Sequence, residues 1–205
     1  MSEHGLSVTQ QASASAHADA PQPVFFFDLG SPEAYLAAER VMAALPIVPQ
    51  WVPIQEAALP GHSPGDSGAR RAAVEQAARA QHVQPLRWPA AWPPDDARLA
   101  MIAATYAKQI GRAVAFALAA FRQAFAGGRA LDEDTLLLAA AACEMHPRAV
   151  VQALGRRSIA AALDAATAQA AAAGVRQAPA IAVGVVVFEG SDAVERAARA
   201  LEGLG

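Results

Sequence analysis

Cysteine is almost absent from this chain of 205 residues, since Cys143 is the only one. A single thiol cannot form an internal disulfide, so a disulfide-stapled framework and a CxxC redox pair are both excluded. Lack of disulfides agrees with a reducing compartment, and we expect a cytoplasmic protein. Cys143 lies in an apolar helical pattern and is predicted to be a small buried side chain.

Long hydrophobic runs and clusters of basic residues are also missing. The apolar run 136–142 is too short to cross a bilayer, and polar residues interrupt the alanine-rich stretch 159–173. A net charge of -3 offers no electrostatic reason to bind a polyanion. The histidines have no metal-ligand spacing. We therefore predict no membrane span, no nucleic-acid partner and no metal site.

Apolar residues dominate what is present, at 54% of the chain against 17% charged residues. This composition and length suit one domain with a sizeable core. Residues 1–22 lack the apolar run of a secretory signal, and we predict a disordered tail there. The rest, 23–205, is predicted to be a single α/β domain, with sheet-forming parts at 23–60 and 174–205 and a helical insertion at 61–173.

The domain opens with the pattern strand, helix, strand. The aromatic run 24–28 is typical of a buried strand. Ser31, Pro32 and Glu33 then supply an N-cap, a proline at the first helical position and an acid in the first turn, which predict a helix to about Leu45. A second strand is expected at 47–53, where prolines restrict it to a sheet edge.

The insertion is predicted to be helical, and the end of the chain returns to strands. An ordered aromatic loop is expected at 85–94, where prolines exclude regular structure. Beyond Gly174, two short apolar runs around Gly184 predict a hairpin at 180–183 and 185–188, followed by a helix at 191–201. The predicted helices of the insertion are 67–83, 95–111, 113–126, 132–145, 147–154 and 158–173.

Four motifs resemble one known group. They are Phe26-Phe27-Asp28-Leu29-Gly30-Ser31-Pro32 with Tyr35-Leu36-Ala37, Pro85-Leu86 with Trp88-Pro89, Gly174-Val175 with Ala178-Pro179, and Gly190-Ser191-Asp192. Their order resembles the DsbA-like branch of the thioredoxin fold, and within it the 2-hydroxychromene-2-carboxylate isomerase and kappa-class glutathione transferase group. The resemblance implies a thioredoxin-like fold with a large helical insertion and a cis-proline, Pro179, before the third strand.

The chain also departs from that group at several positions. Glu33 and Glu189 stand where the group usually has aromatic residues, Ala180 where it has threonine, and Ala193 where it has arginine. The loop 61–68 has no obvious counterpart of the group's glutathione-binding asparagine.

Ser31 is the predicted catalytic residue. It stands where a strand meets a helix N-terminus, a place that favours an anion such as a thiolate. The resemblance implies that it hydrogen-bonds the sulfur of glutathione or another low-molecular-weight thiol. A purely structural role as N-cap is the alternative, and one serine can do both.

Four further residues are predicted to bind the thiol cofactor. A cis Pro179 would expose the Ala178 backbone for pairing with an extended peptide such as glutathione. Ser191 and Asp192 could hold the γ-glutamyl end, the carboxylate at the helix amides and the ammonium at Asp192. Capping is their structural alternative.

Trp88, Trp92 and Tyr106 are predicted to form the wall of a pocket for a small aromatic substrate, because their rings stack and each has one polar atom. Filling the core between the two parts of the domain is their alternative role. The function implied is a glutathione-dependent isomerase or transferase acting on an aromatic or chromene-type carboxylate. A binding or scaffold module without redox activity is the alternative, and the oligomeric state stays open, a homodimer included.

Overall fold

The sheet has four strands in the order β2-β1-β3-β4, in a computed structural model that describes residues 21–63, 65–94 and 97–204. β1 and β2 are parallel and are connected by helix α1 (Pro32–Ala44), as a parallel pair requires a crossover, and the other two pairings are antiparallel. The strands are β1 (Val24–Phe27), β2 (Gln50–Pro53), β3 (Ala180–Val183) and β4 (Val186–Glu189).

Eight α-helices surround this sheet in the described residues. Six of them, α2 to α7, lie between β2 and β3 and form the predicted insertion. They are α1 (Pro32–Ala44), α2 (Ser67–Ala80), α3 (Arg98–Gln109), α4 (Ala113–Phe121), α5 (Glu133–Ala141), α6 (Pro147–Leu154), α7 (Arg157–Ala172) and α8 (Ala193–Glu202).

Strand β1 divides the core because its side chains alternate between the two faces of the sheet. Phe25 and Phe27 join the larger cluster, which includes Trp51 and the buried faces of most helices. Phe26 lies on the opposite face, in a smaller cluster with Ala170 of α7. The apolar run of β1 is thus buried on both sides, as its sequence predicts.

The predicted elements are present, with shifted ends. β2 is an edge strand, as its prolines indicate, but it begins at Gln50 rather than 47. α4 ends at Phe121 because the next five residues, Arg122–Ala126, form a π-helical turn. The helix predicted from 95 begins at Arg98, and 95–96 lie outside the described residues, as does the predicted tail apart from Pro21 and Gln22.

Candidate functional site

Ser31 lies at the junction of β1, α1 and the segment before β3, and only 1% of its surface is exposed. Its Oγ accepts a hydrogen bond from the Ala34 amide at 3.3 Å, which makes it the N-cap of α1. The same hydroxyl lies 3.2 Å from the Ala178 carbonyl oxygen and 3.1 Å from Glu33 Oε2. Because a hydroxyl has one hydrogen, Ser31 donates to only one of these two acceptors at a time.

The Ala178–Pro179 bond is cis, and it brings Ala178 against Ser31. Both backbone groups of Ala178 have partners inside the chain. Its carbonyl accepts from Ser31, and its amide donates to Glu56 Oε1 at 3.1 Å. A ligand that accepts from the Ala178 amide must therefore displace Glu56, whereas the carbonyl oxygen keeps a second lone pair for a ligand donor.

An acidic cavity of about 170 Å³ lies on the Ala178 side of Ser31. It is lined by Glu33, Glu56, His62, Arg70, Ala178 and Pro179, among others. Arg70 of α2 makes a bidentate ion pair with Glu33, with N–O distances of 2.7 and 2.6 Å. Its Nη2 lies 3.9 Å from Glu56 Oε2, so the guanidinium is committed mainly to Glu33.

Asp28 is a buried carboxylate that holds the backbone of Glu56 at this cavity. Its carboxylate accepts from the amides of Gly30 and Glu56, both at 2.8 Å, which joins the end of β1 to the turn after β2. Burial raises the pKa of Asp28, and the two backbone hydrogen bonds oppose that rise only in part.

Glu56 lines the acidic cavity, and its pKa is shifted far from the ordinary value of a glutamate. Burial, together with the nearby Asp28 charge, raises its pKa to about 7 against the opposing effect of the Ala178 amide. A carboxyl group with such a pKa exchanges a proton near neutral pH.

A second cavity of about 280 Å³ adjoins the first and shares Glu33, Pro179 and Gly190 with it. Ser191, which is predicted to bind the thiol cofactor, lines this second cavity. Asp192 is the exposed residue before α8, and its Oδ1 accepts from Arg196 at 3.3 Å. The predicted cofactor residues Ala178, Pro179 and Ser191 thus line two connected cavities.

An aromatic groove of about 380 Å³ reaches Gly30, the residue before Ser31, and Ser31 itself is not among its lining residues. Gly30, Trp92, Pro94, Phe125, Leu131 and Asp132 are among its lining residues. Trp92 donates from its indole nitrogen to the Gly30 carbonyl at 3.2 Å, which fixes the ring beside Ser31. A Cβ atom on Gly30 would lie 3.3 Å from Pro94 Cγ, which is closer than most such contacts. A larger residue at this position would therefore require Pro94 to shift.

Of the three residues predicted to hold the substrate, the structure brings Trp88 and Trp92 together and places Tyr106 elsewhere. Trp88 packs on Trp92, with ring centroids 4.7 Å apart, and donates to Glu75 Oε1 at 2.8 Å. Trp88 therefore packs against Trp92 and is not itself among the residues that line the groove. Tyr106 lies on α3, packs against the core and is not among the residues that line the groove.

Sequence reasoning missed Asp28, Glu56 and Arg70 as site residues. Asp28 had a detectable signal, an acid directly after a buried strand. Glu56 and Arg70 had none, because each reaches the cavity from a different part of the chain. Cys143 is buried as predicted, and burial raises the pKa of its thiol, which opposes a nucleophilic role.

The chain belongs to the DSBA-like thioredoxin domain family, whose pattern it matches over residues 24–202. Among solved structures, it is similar to a 2-hydroxychromene-2-carboxylate isomerase, with 21% identity, a TM-score of 0.78, and coverage of 89% of this chain and 95% of that one. A probable DsbA oxidoreductase from Streptomyces coelicolor is similar with 18% identity, a TM-score of 0.71, and coverage of 90% and 89%.

At these identities the likeness shows the fold alone, the DsbA-like thioredoxin fold that the four motifs predict. No curated protein sequence matches the chain. No helix in the described ranges is both long and apolar enough to cross a membrane.

Proposed function

We propose that this protein is a thiol-dependent isomerase or transferase of the 2-hydroxychromene-2-carboxylate isomerase type, using glutathione or another low-molecular-weight thiol. The observation that carries the proposal is the position of Ser31. Its hydroxyl stands at the N-terminus of α1, within hydrogen-bond distance of Ala178, the residue before a cis-proline. Its neighbours Glu33 and Ala178 line the acidic cavity, and its neighbour Gly30 lines the aromatic groove.

The two sides suit the two reactants. A tripeptide thiol is polar and extended, and the acidic cavity together with its neighbour has the backbone and side-chain groups to bind it. An aromatic substrate requires an apolar wall, which Trp92 and Phe125 supply in the groove. The sulfur would meet the substrate near Ser31, whose neighbours Gly30 and Glu33 line the groove and the acidic cavity.

In the reaction proposed, the thiolate adds reversibly to the chromene carboxylate and the ring opens. A bond of the adduct then rotates, and elimination of the thiol leaves the trans-benzylidenepyruvate. The chain's own contribution is to orient the reactants and to donate a hydrogen bond from Ser31 to the sulfur. Ser31 can do so when its hydrogen turns away from Glu33 and Ala178.

A binding or scaffold module is the second candidate, and one observation favours it. Ser31 and the Ala178 backbone are satisfied within the chain, and both residues are buried. A DsbA-like protein without catalysis would have no need to release them. Titration separates the two candidates, since only the first requires saturable thiol binding.

Replacing Ser31 with alanine tests the proposal. The variant loses the N-cap, which costs about 1 kcal/mol of unfolding free energy, and the hydrogen-bond donor to the sulfur. We expect it to remain folded and to lose most of the glutathione-dependent isomerisation of 2-hydroxychromene-2-carboxylate, followed by absorbance.

Asp66→Ala is the matched control, because Asp66 caps α2 by accepting from the Ala69 amide and is not among the residues that line the acidic cavity. It should lose similar stability and keep its activity. Wild-type protein that shows no saturable glutathione binding up to several millimolar would support the binding module instead.

A further inference from the structure

The amide of Ala178 already has an acceptor in this protein. Glu56 follows β2 and begins a short 3-10 turn, Glu56–Ala58, and its Oε1 lies 3.1 Å from the Ala178 nitrogen. Its own amide is held by Asp28 Oδ2 at 2.8 Å. The backbone of Glu56 is therefore anchored where its side chain reaches the segment before Pro179.

The other charged groups near Glu56 compete little for its carboxylate. Arg70 of α2 gives its two short contacts to Glu33 of α1 and is 3.9 Å from Glu56. Asp28 at the end of β1 repels Glu56, and His62 of the following loop lines the same cavity. Among the described contacts, the Ala178 amide is the close hydrogen-bond donor to this carboxylate.

A peptide that pairs with the chain before Pro179 needs that same amide. Strand-like pairing places a carbonyl oxygen of the ligand about 2.9 Å from the backbone nitrogen, the position that Glu56 Oε1 now holds. Two acceptors cannot share one N–H at full strength. The ligand carbonyl and the Glu56 carboxylate are thus alternatives.

We propose that Glu56 is a specificity-determining residue that competes with peptide thiols for the Ala178 amide. The proposal rests on the proposed function and adds to it a rule for which thiols bind readily. A peptide thiol such as glutathione binds only when Glu56 releases the amide, whereas a thiol without a peptide carbonyl beside its sulfur leaves the bond intact.

Release of Glu56 is linked to proton uptake. The Ala178 hydrogen bond favours the ionised carboxylate, and its loss raises the pKa of Glu56 above its present value of about 7. A ligand that takes the amide therefore favours protonated Glu56. This linkage should weaken glutathione binding as pH rises through neutrality in wild type, relative to a variant that lacks the Glu56 carboxylate.

Calorimetric titration with glutathione tests the proposal on three proteins, between about pH 6 and pH 8. Glu56→Ala removes the competitor, and we expect about tenfold tighter binding than wild type at the upper pH. Glu56→Gln keeps an oxygen acceptor that cannot ionise, and its affinity should lack the fall with rising pH that Glu56 causes in wild type. Glu144→Gln is the matched control, because Glu144 is an exposed residue paired with Arg112, and it should bind as wild type does.

The outcomes separate this inference from the proposed function. Glutathione that binds wild type and a folded Glu56→Ala protein equally, or binds the variant more weakly, overturns the competition and leaves the thiol-dependent activity standing. Absence of binding to all the proteins, Glu56→Ala included, overturns both. Thermal unfolding of each variant establishes that it is folded.

Discussion

The acidic cavity and the aromatic groove are each lined by residues next to Ser31, Glu33 in the cavity and Gly30 in the groove, and they are held together in different ways. In the cavity, charged groups are held by one another and by the backbone: Glu33 by Arg70, and Glu56 by the Ala178 amide. In the groove, rings and prolines are held mainly by packing, with one indole hydrogen bond from Trp92 to the Gly30 carbonyl. The cavity should therefore respond to pH and to loss of a charge, and the groove to loss of volume.

Phe125→Ala should have the largest effect on stability, because it removes a buried aromatic ring beside the groove and leaves a void in the packing. Phe125 is 1% exposed and lies 5.8 Å from Tyr35 and 6.2 Å from Trp88, measured between ring centroids. We expect a loss of about 3–5 kcal/mol of unfolding free energy, measured by urea denaturation.

Leu138→Ala on α5 is the control, since Leu138 is 46% exposed. It should cost less than about 1 kcal/mol. Equal losses in the two variants would show that the groove does not depend on the packing of Phe125.

The acidic cavity should make stability depend on pH. Glu56 ionises near 4.5 in the unfolded chain and at about 7 in the folded one, so the folded state binds an extra proton between these values. Rising pH therefore favours unfolding, by roughly 3 kcal/mol across the interval from 4.5 to about 7. Burial raises the pKa of Asp28 in the same sense.

Glu56→Gln should remove most of this dependence, because glutamine cannot ionise. The measurement is the urea midpoint at several pH values for wild type and variant. A wild-type midpoint that rises with pH across the interval would contradict the assignment of a buried, protonated Glu56.

A smaller effect is expected at Arg71, which holds the two indoles on the groove side. Arg71 of α2 lies over both rings, 5.1 Å from the Trp88 centroid and 5.4 Å from that of Trp92, and donates to the Trp92 carbonyl at 3.0 Å. Arg71→Gln should cost about 1 kcal/mol and loosen the indoles. Increased quenching of tryptophan fluorescence by acrylamide would report this change. Unchanged quenching would show that the rings are held by packing alone.

Much of the fold could be predicted from local patterns. The buried strand at 24–27, the Ser31 cap with Pro32 behind it, and the hairpin around Gly184 all follow from residues close together in sequence. Ends of elements were less predictable. The π-helical turn at Arg122–Ala126 depends on how the end of α4 packs, and its sequence is that of an ordinary helix.

For the candidate site, the sequence by itself determined the absence of a CxxC pair, the serine at the helix N-terminus and the aromatic loop with Trp88 and Trp92. Tertiary structure alone decided what surrounds Ser31. Glu56, Arg70 and Ala178 are distant in sequence, and their charges acquire meaning only when folding buries them together. The physical reason is that burial and hydrogen bonding, which set the acidity of Glu56 and the availability of the Ala178 amide, belong to the assembled cavity and to no single segment.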